Sequence, residues 1–137
     1  MKNLRLSLIY NMLLVLSLSS CKNNYYDFRL KVVNNSNKSI YADFYESYPD
    51  TTLGFNSHFR NIDKKVSPNG TITLGRGGTW ERAYKEDIQQ KLLVFIFDAG
   101  IVENTPWDTI RSKYLVLKRY DLTLKDLDSL NFKVTYP

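Results

Sequence analysis

The stretch LLVFIF at residues 92–97 decides the fold of this chain. It is the most apolar run beyond residue 21, and its side chains are aliphatic, β-branched or aromatic. The turn residues DAG at 98–100 end the run. A short apolar run bounded in this way is typical of a central strand with protein packed on both faces. We therefore expect the core to be assembled around this strand.

Two segments of alternating polarity precede this apolar run in the chain. Residues 28–32 alternate apolar with charged side chains, and residues 40–45 alternate apolar side chains with Tyr41, Asp43 and Tyr45. The turn cluster at 34–37 lies between the two segments and predicts that they form a hairpin. The remaining expected elements are strands at 62–66, 71–74, 114–122 and 132–136, and a helix at 79–87.

Two further short helices are predicted by their capping residues. Thr105 is placed as an N-cap, with Pro106 at the first helical position and Asp108 three residues after the cap. Thr123 and Asp126 repeat this spacing. Because the helices are few and short, the pattern predicts an all-β fold, an antiparallel β-sandwich of about 6–7 strands that is Ig-like or transthyretin-like in size.

Charge and cysteine usage exclude several classes of function. The chain of 137 residues has a formal net charge of +5, but Lys2 and Arg5 contribute two of its 19 basic residues. Residues from 21 onward therefore carry 17 basic and 14 acidic residues, a net +3, which is too small to indicate a nucleic-acid partner. The only cysteine is Cys21, so an internal disulfide is excluded and packing must stabilise the domain.

The N-terminal segment has the composition of a secretory signal peptide. Lys2 and Arg5 precede a mainly apolar stretch at 6–18, and two serines follow it immediately before Cys21. The apolar stretch is shorter than the roughly 20 residues that a spanning helix needs. We expect a signal peptide at 1–20, a polar tether at 21–27 and one domain at 28–137.

The sequence Leu18-Ser19-Ser20-Cys21 resembles the lipobox of bacterial lipoproteins. The resemblance implies that a diacylglycerol is attached to the Cys21 sulfur, that the signal is removed and that the new amine is acylated. Lys22 follows the cysteine and resembles the class that is sorted to the outer membrane, on either its periplasmic face or the cell surface. The alternative is an ordinary secreted protein with a cysteine near its cleavage site.

The second half of the chain resembles a family of small Bacteroidetes lipoproteins that have no assigned activity. The similarity lies in FIFD at 95–98, PWDTI at 106–110, LKRYDLT at 117–123 and TYP at 135–137. It supports the expected lipid anchor and implies no mechanism.

Few residues offer catalytic or metal-binding chemistry. His58 is the only histidine and has no companion ligand at metal spacing, so neither a metal nor a cofactor is expected. Asp98, Asp108 and Asp121 could form an acid–base or cation site if they converge, but each also has a local structural role. Gly75-Arg76-Gly77-Gly78 lacks the ending of a phosphate-binding loop and predicts a turn.

Four aromatic residues are the candidate binding residues. Tyr41 and Tyr45 share the outer side of one predicted strand, where they either bind a ligand or meet a second layer. Trp80 and Trp107 fall on predicted short helices, where a tryptophan stacks on a sugar or covers the core.

These observations favour a lipid-anchored, non-catalytic binding or scaffold module with an envelope protein or glycan as partner. The alternative is a small envelope enzyme that acts on glycan or peptide through its aspartates.

Overall fold

The computed structural model describes residues 29–54, 62–88 and 90–137. Its strands are β1 (Arg29–Asn34), β2 (Ile40–Tyr45), β3 (Lys65–Val66), β4 (Thr71–Gly75), β5 (Leu92–Asp98), β6 (Lys118–Leu122) and β7 (Lys133–Tyr136). Its helices are α1 (Trp80–Glu86), α2 (Ala99–Asn104), α3 (Trp107–Ser112) and α4 (Leu124–Ser129), with a 3-10 turn at Ile62–Lys64. No helix in these ranges is long and apolar enough to cross a bilayer. The expected signal at 1–20, the tether at 21–27, Cys21 and His58 lie outside the described residues.

The strands form two sheets. One has the order β4-β1-β7, in which β1 is antiparallel to β4 and parallel to β7. The other has the order β3-β2-β5-β6 and is antiparallel throughout. A β-rich fold with two mainly antiparallel sheets and short helices is confirmed, and the β1–β7 pairing departs from the expected antiparallel arrangement.

The strand β5 is central and buried, as its composition predicts. Its first six residues are all buried, and β2 and β6 pair with it on either side. Leu92, Val94 and Ile96 pack into one apolar cluster with both sheets, α1 and α4. The alternate residues Leu93 and Phe95 pack with Phe97 into a second cluster beneath α2 and α3. Each of these side chains contributes roughly 1.5–3 kcal/mol through burial, so β5 organises both cores.

The predicted hairpin of β1 and β2 is wrong, because the two strands lie in different sheets. β1 has β4 and β7 as its neighbours, and β2 has β3 and β5. Leu30 of β1 and Ile40 of β2 still meet in the same apolar cluster. The chain therefore crosses from one sheet to the other while keeping its apolar residues on a shared core.

Only one of the two predicted capping boxes is present in the structure. Thr123 and Asp126 form the predicted capping box, in which each side chain accepts from the other residue's backbone N–H. The predicted box at Thr105 is wrong: Pro106 is the N-cap of α3 and supplies no side-chain cap bond. Asp108 bonds to Arg111 instead, at 3.3 Å.

Two further boundaries differ from the sequence pattern. The helix α2 begins directly after β5, because the Asp98 side chain caps it by accepting from the N–H of Ile101 at 3.1 Å. The predicted strand at 114–122 is shorter, because Tyr114 has a left-handed φ of 49° and β6 begins only at Lys118.

Candidate functional site

Tyr41 does not present its ring to solvent. The side chain is buried, 4% exposed, in the cluster that α2 and α3 cover. Its hydroxyl donates to Glu103 Oε1 at 3.2 Å, and Lys65 Nζ lies 2.6 Å from the same oxygen. The ammonium of Lys65 lowers the pKa of Glu103. Tyr41 thus joins β2 to α2, and of the two alternatives left open for its side of β2, a ligand surface or a second layer, the structure shows a second layer made by α2 and α3.

The other three aromatic candidates also pack against apolar clusters. Trp80 is 2% exposed and meets Phe44 edge to face, with ring centroids 5.6 Å apart. Trp107 is half-buried with its ring 5.9 Å from that of Phe97, and Tyr45 packs against the same cluster. These rings therefore complete the core rather than forming one aromatic platform.

The three aspartates serve separate local roles. Asp98 caps α2, Asp108 bonds to Arg111, and Asp121 lies 2.6 Å from Arg119. Asp121 is the register partner of Leu93, five residues before Asp98 on β5, so the backbone positions of the two aspartates are about 17 Å apart along the strand. Within the described residues, no three His, Cys, Asp or Glu side chains lie close enough to hold a metal ion.

Arg119 connects β6 to the segment that follows β2. Its guanidinium makes two hydrogen bonds to Asp121, at 2.6 and 3.1 Å, and a third to the backbone carbonyl of Asp50 at 3.1 Å. The Asp121 carboxylate raises the pKa of Arg119. The Asp50 side chain in turn accepts from the N–H groups of Thr52 and Gly54. The loop at 50–54 is thereby fixed to the sheet.

A polar groove of about 380 Å³ opens between β2 and β4. Lys64 and Asp43 form an ion pair within it. The groove combines carboxylates, an ammonium and a hydroxyl, which are the donors and acceptors that a hydroxyl-rich or peptide ligand requires. Its lining residues are Asp43, Phe44, Asp63, Lys64, Thr73, Leu74 and Gly75.

A second groove, of about 370 Å³, lies beside Arg76. Arg76 is paired with Asp87 at 2.9 Å and with Glu46 at 2.8 Å. Glu46 lies off the line of the Nε–H bond, so that N–H has no hydrogen-bond acceptor in the described structure. Gly78 has φ +89°, which confirms a turn that needs glycine. The charged side chains that line this groove are therefore already engaged in ion pairs with one another or with Glu46.

The outer face of the β4-β1-β7 sheet is polar and basic. Its outward positions alternate with buried ones along each strand. Lys31 and Lys133 are register partners on this face. None of the outward residues is acidic; they are Arg29, Lys31, Val33, Thr71, Thr73, Gly75, Lys133 and Thr135.

The local sequence pattern did not predict either groove or this face. Asp43, Lys64 and Thr73 are separated by turns and belong to three different elements, so no spacing links them. The alternation in residues 28–32 did predict a strand with one charged side, but not the strands beside it.

No protein-family model, no curated protein and no solved structure matches this chain.

Proposed function

We propose that this chain is a lipid-anchored protein of the outer membrane that acts as a non-catalytic binding or scaffold module. The observation that carries the proposal is Cys21, the single cysteine, placed directly after a basic and apolar segment and two small residues. The described domain begins at Arg29, eight residues later. A short polar tether followed by a folded domain is the organisation that a lipid anchor requires.

The physics of the anchor supports permanent attachment. Each buried methylene contributes roughly 0.8 kcal/mol, and a single acyl chain holds a protein only reversibly. Two or three chains on one residue hold it stably. The similarity to the Bacteroidetes lipoproteins belongs to the same proposal, as does the assignment of the outer membrane.

We further propose that the domain is an antiparallel β-sandwich of Ig-like size. The support is the apolar cluster to which both sheets contribute, with Leu30 and Leu74 from one sheet and Val94 from the other. The helices α2 and α3 add a layer on the far side of the larger sheet. Because α2 and α3 cover the far side of the larger sheet, the groove between β2 and β4 is the concave surface best suited to an envelope glycan or protein segment.

The anchor is tested by replacing the sulfur. Cys21→Ala should abolish labelling by a fatty-acid probe and release the protein from membranes. Ser20→Ala is the matched control, because alanine is also small and leaves the sulfur in place. Unchanged membrane retention and labelling of Cys21→Ala would overturn the proposed anchor.

The binding role is tested with a photo-crosslinking residue placed in the anchored protein in intact cells. A crosslinker at Asp63, which lines the groove, should capture a glycan or an envelope protein, and a crosslinker at Ser112, on α3, should not. Equal products from the two positions would remove the groove as the binding site.

A further inference from the structure

The outer face of the β4-β1-β7 sheet carries two exposed lysines that have no acidic partner among the described residues. Lys31 and Lys133 are exposed register partners on adjacent strands, about 4.8 Å apart in the backbone. Neither forms an ion pair with a described acidic residue, and no outward residue of the sheet is acidic. Arg29 adds a third positive charge to the face but already has an interaction of its own, so the argument rests on the two lysines.

This arrangement costs folding free energy, because like charges on neighbouring strands destabilise a sheet. A flat surface covered by anionic groups would offset the cost. Threonines flank both lysines: Thr73 is the register partner of Lys31, and Thr135 lies two residues from Lys133. Their hydroxyls are suited to phosphate oxygens, and no large apolar side chain projects from the face.

The position of the face relative to Cys21 identifies the anionic surface. Seven residues lie between Cys21 and Arg29, and the eight Cα-to-Cα steps of this extended segment span at most about 28 Å. Arg29 is itself the first outward residue of β1. The proposed anchor therefore keeps the start of the basic face within about 28 Å of the lipid-bearing sulfur at all times.

We propose that the outer face of the β4-β1-β7 sheet docks on the phosphate-bearing headgroup surface of the bilayer that holds Cys21. This inference rests on the proposed lipid anchor. Docking places the sheet against the membrane, and it directs α2 and α3, which lie beyond the other sheet, away from it. A lysine close to an anionic surface contributes about fivefold to binding, so the two lysines together favour the docked orientation by about 25-fold.

The test uses the lipid-modified protein reconstituted into vesicles. The proposed modification of Cys21 blocks the only native thiol, so a single introduced cysteine takes a fluorophore selectively. The donor is placed at Thr135→Cys on the basic face or at Ser112→Cys on α3, and the acceptor is a headgroup-labelled lipid. Energy transfer is compared in phosphatidylcholine vesicles with and without phosphatidylglycerol.

In vesicles that contain phosphatidylglycerol, transfer from position 135 should exceed transfer from position 112. The Lys31→Gln/Lys133→Gln double variant should lower the ratio of docked to undocked protein about 25-fold, so that transfer from position 135 no longer exceeds transfer from position 112. High salt should also abolish this difference in transfer, because it screens the charges. Lys38→Gln/Lys113→Gln is the matched control, since it removes two exposed lysines that lie off the face and should leave the excess intact.

Transfer from position 135 that depends neither on phosphatidylglycerol nor on Lys31 and Lys133, in protein that stays on the vesicles, would overturn the docking and leave the anchor standing. A different result identifies failure of the anchor: the protein without an introduced cysteine would take the fluorophore at Cys21 or leave the vesicles, and the docking proposal would fall with it.

Discussion

Lys31 of β1 and Lys133 of β7 lie side by side on parallel strands, exposed on the same face of the sheet. Their pairing is unfavourable for the isolated domain, because two ammonium groups repel each other across neighbouring strands. It is favourable when the face meets an anionic surface. The relationship therefore links the stability of the domain to the proposed orientation at the membrane.

The first prediction concerns this pair. Lys133→Glu should stabilise the domain by about 0.5 kcal/mol at low salt, since it replaces repulsion with attraction toward Lys31. Urea denaturation measures the change, and Lys38→Glu is the control for the altered net charge. An equal gain in both variants would contradict a specific Lys31–Lys133 interaction.

The second prediction concerns Asn34, the buried polar residue at the end of β1. Its Nδ2 donates to the carbonyls of Lys38, Val66 and Ser67 at 2.7, 3.2 and 3.1 Å, and its Oδ1 accepts from Ser36. The side chain thereby joins β1 to the turn after β3.

Replacing Asn34 by Ala should cost about 2–3 kcal/mol, because buried carbonyls lose their donor. Chemical denaturation measures it, with the exposed neighbour Asn35→Ala as the control, for which a change within about 0.5 kcal/mol is expected. Similar small changes in both variants would show that the buried amide does not hold the turn.

The third prediction concerns Tyr84, whose hydroxyl donates to the carbonyl of Leu122 at 2.5 Å and accepts from the N–H of Leu92 at 3.3 Å. Tyr84→Phe should destabilise the domain by about 1 kcal/mol at neutral pH, because both backbone groups lose this partner.

The effect of Tyr84→Phe should also depend on pH. Burial raises the pKa of Tyr84 from 10.0 to about 12, so the unfolded chain loses this proton first. The stability that the hydroxyl contributes is complete below pH 10.0 and is lost as the pH rises towards about 12. The difference between the native protein and the variant should therefore shrink over this window. A constant difference would contradict the raised pKa.

The fourth prediction compares two arginine–aspartate pairs. Arg119→Lys should cost about 1–2 kcal/mol, because lysine cannot reproduce the two bonds to Asp121 together with the bond to the Asp50 carbonyl. Arg111→Lys alters the exposed pair with Asp108 and should cost less than about 0.5 kcal/mol. Thermal unfolding measures both, and equal costs would mean that Arg119 does not secure the loop at 50–54.

The sequence predicted the elements whose determinants are local. The continuous apolar run of β5 specified a strand covered on both faces, and Thr123 with Asp126 specified a helix start, because a capping box needs only residues three apart. The turn at Gly78 follows in the same way from glycine's access to positive φ.

Features that depend on distant residues could not be predicted in this way. β1 and β7 pair across about a hundred residues, so the sheet to which β1 belongs is not visible in the turn that follows it. Alternation placed Tyr41 on the outer side of β2 but could not show that α2 and α3 cover that side. The groove of Asp43, Lys64 and Thr73 exists only because three separate elements meet.

Mass spectrometry of the native product purified from membranes tests the proposed anchor most directly. We expect an N-terminal residue that is Cys21, with a diacylglyceryl group on its sulfur and an acyl chain on its amine. An unmodified Cys21 thiol, or a mature chain that begins at another residue, would contradict the lipid anchor and every proposal that depends on it.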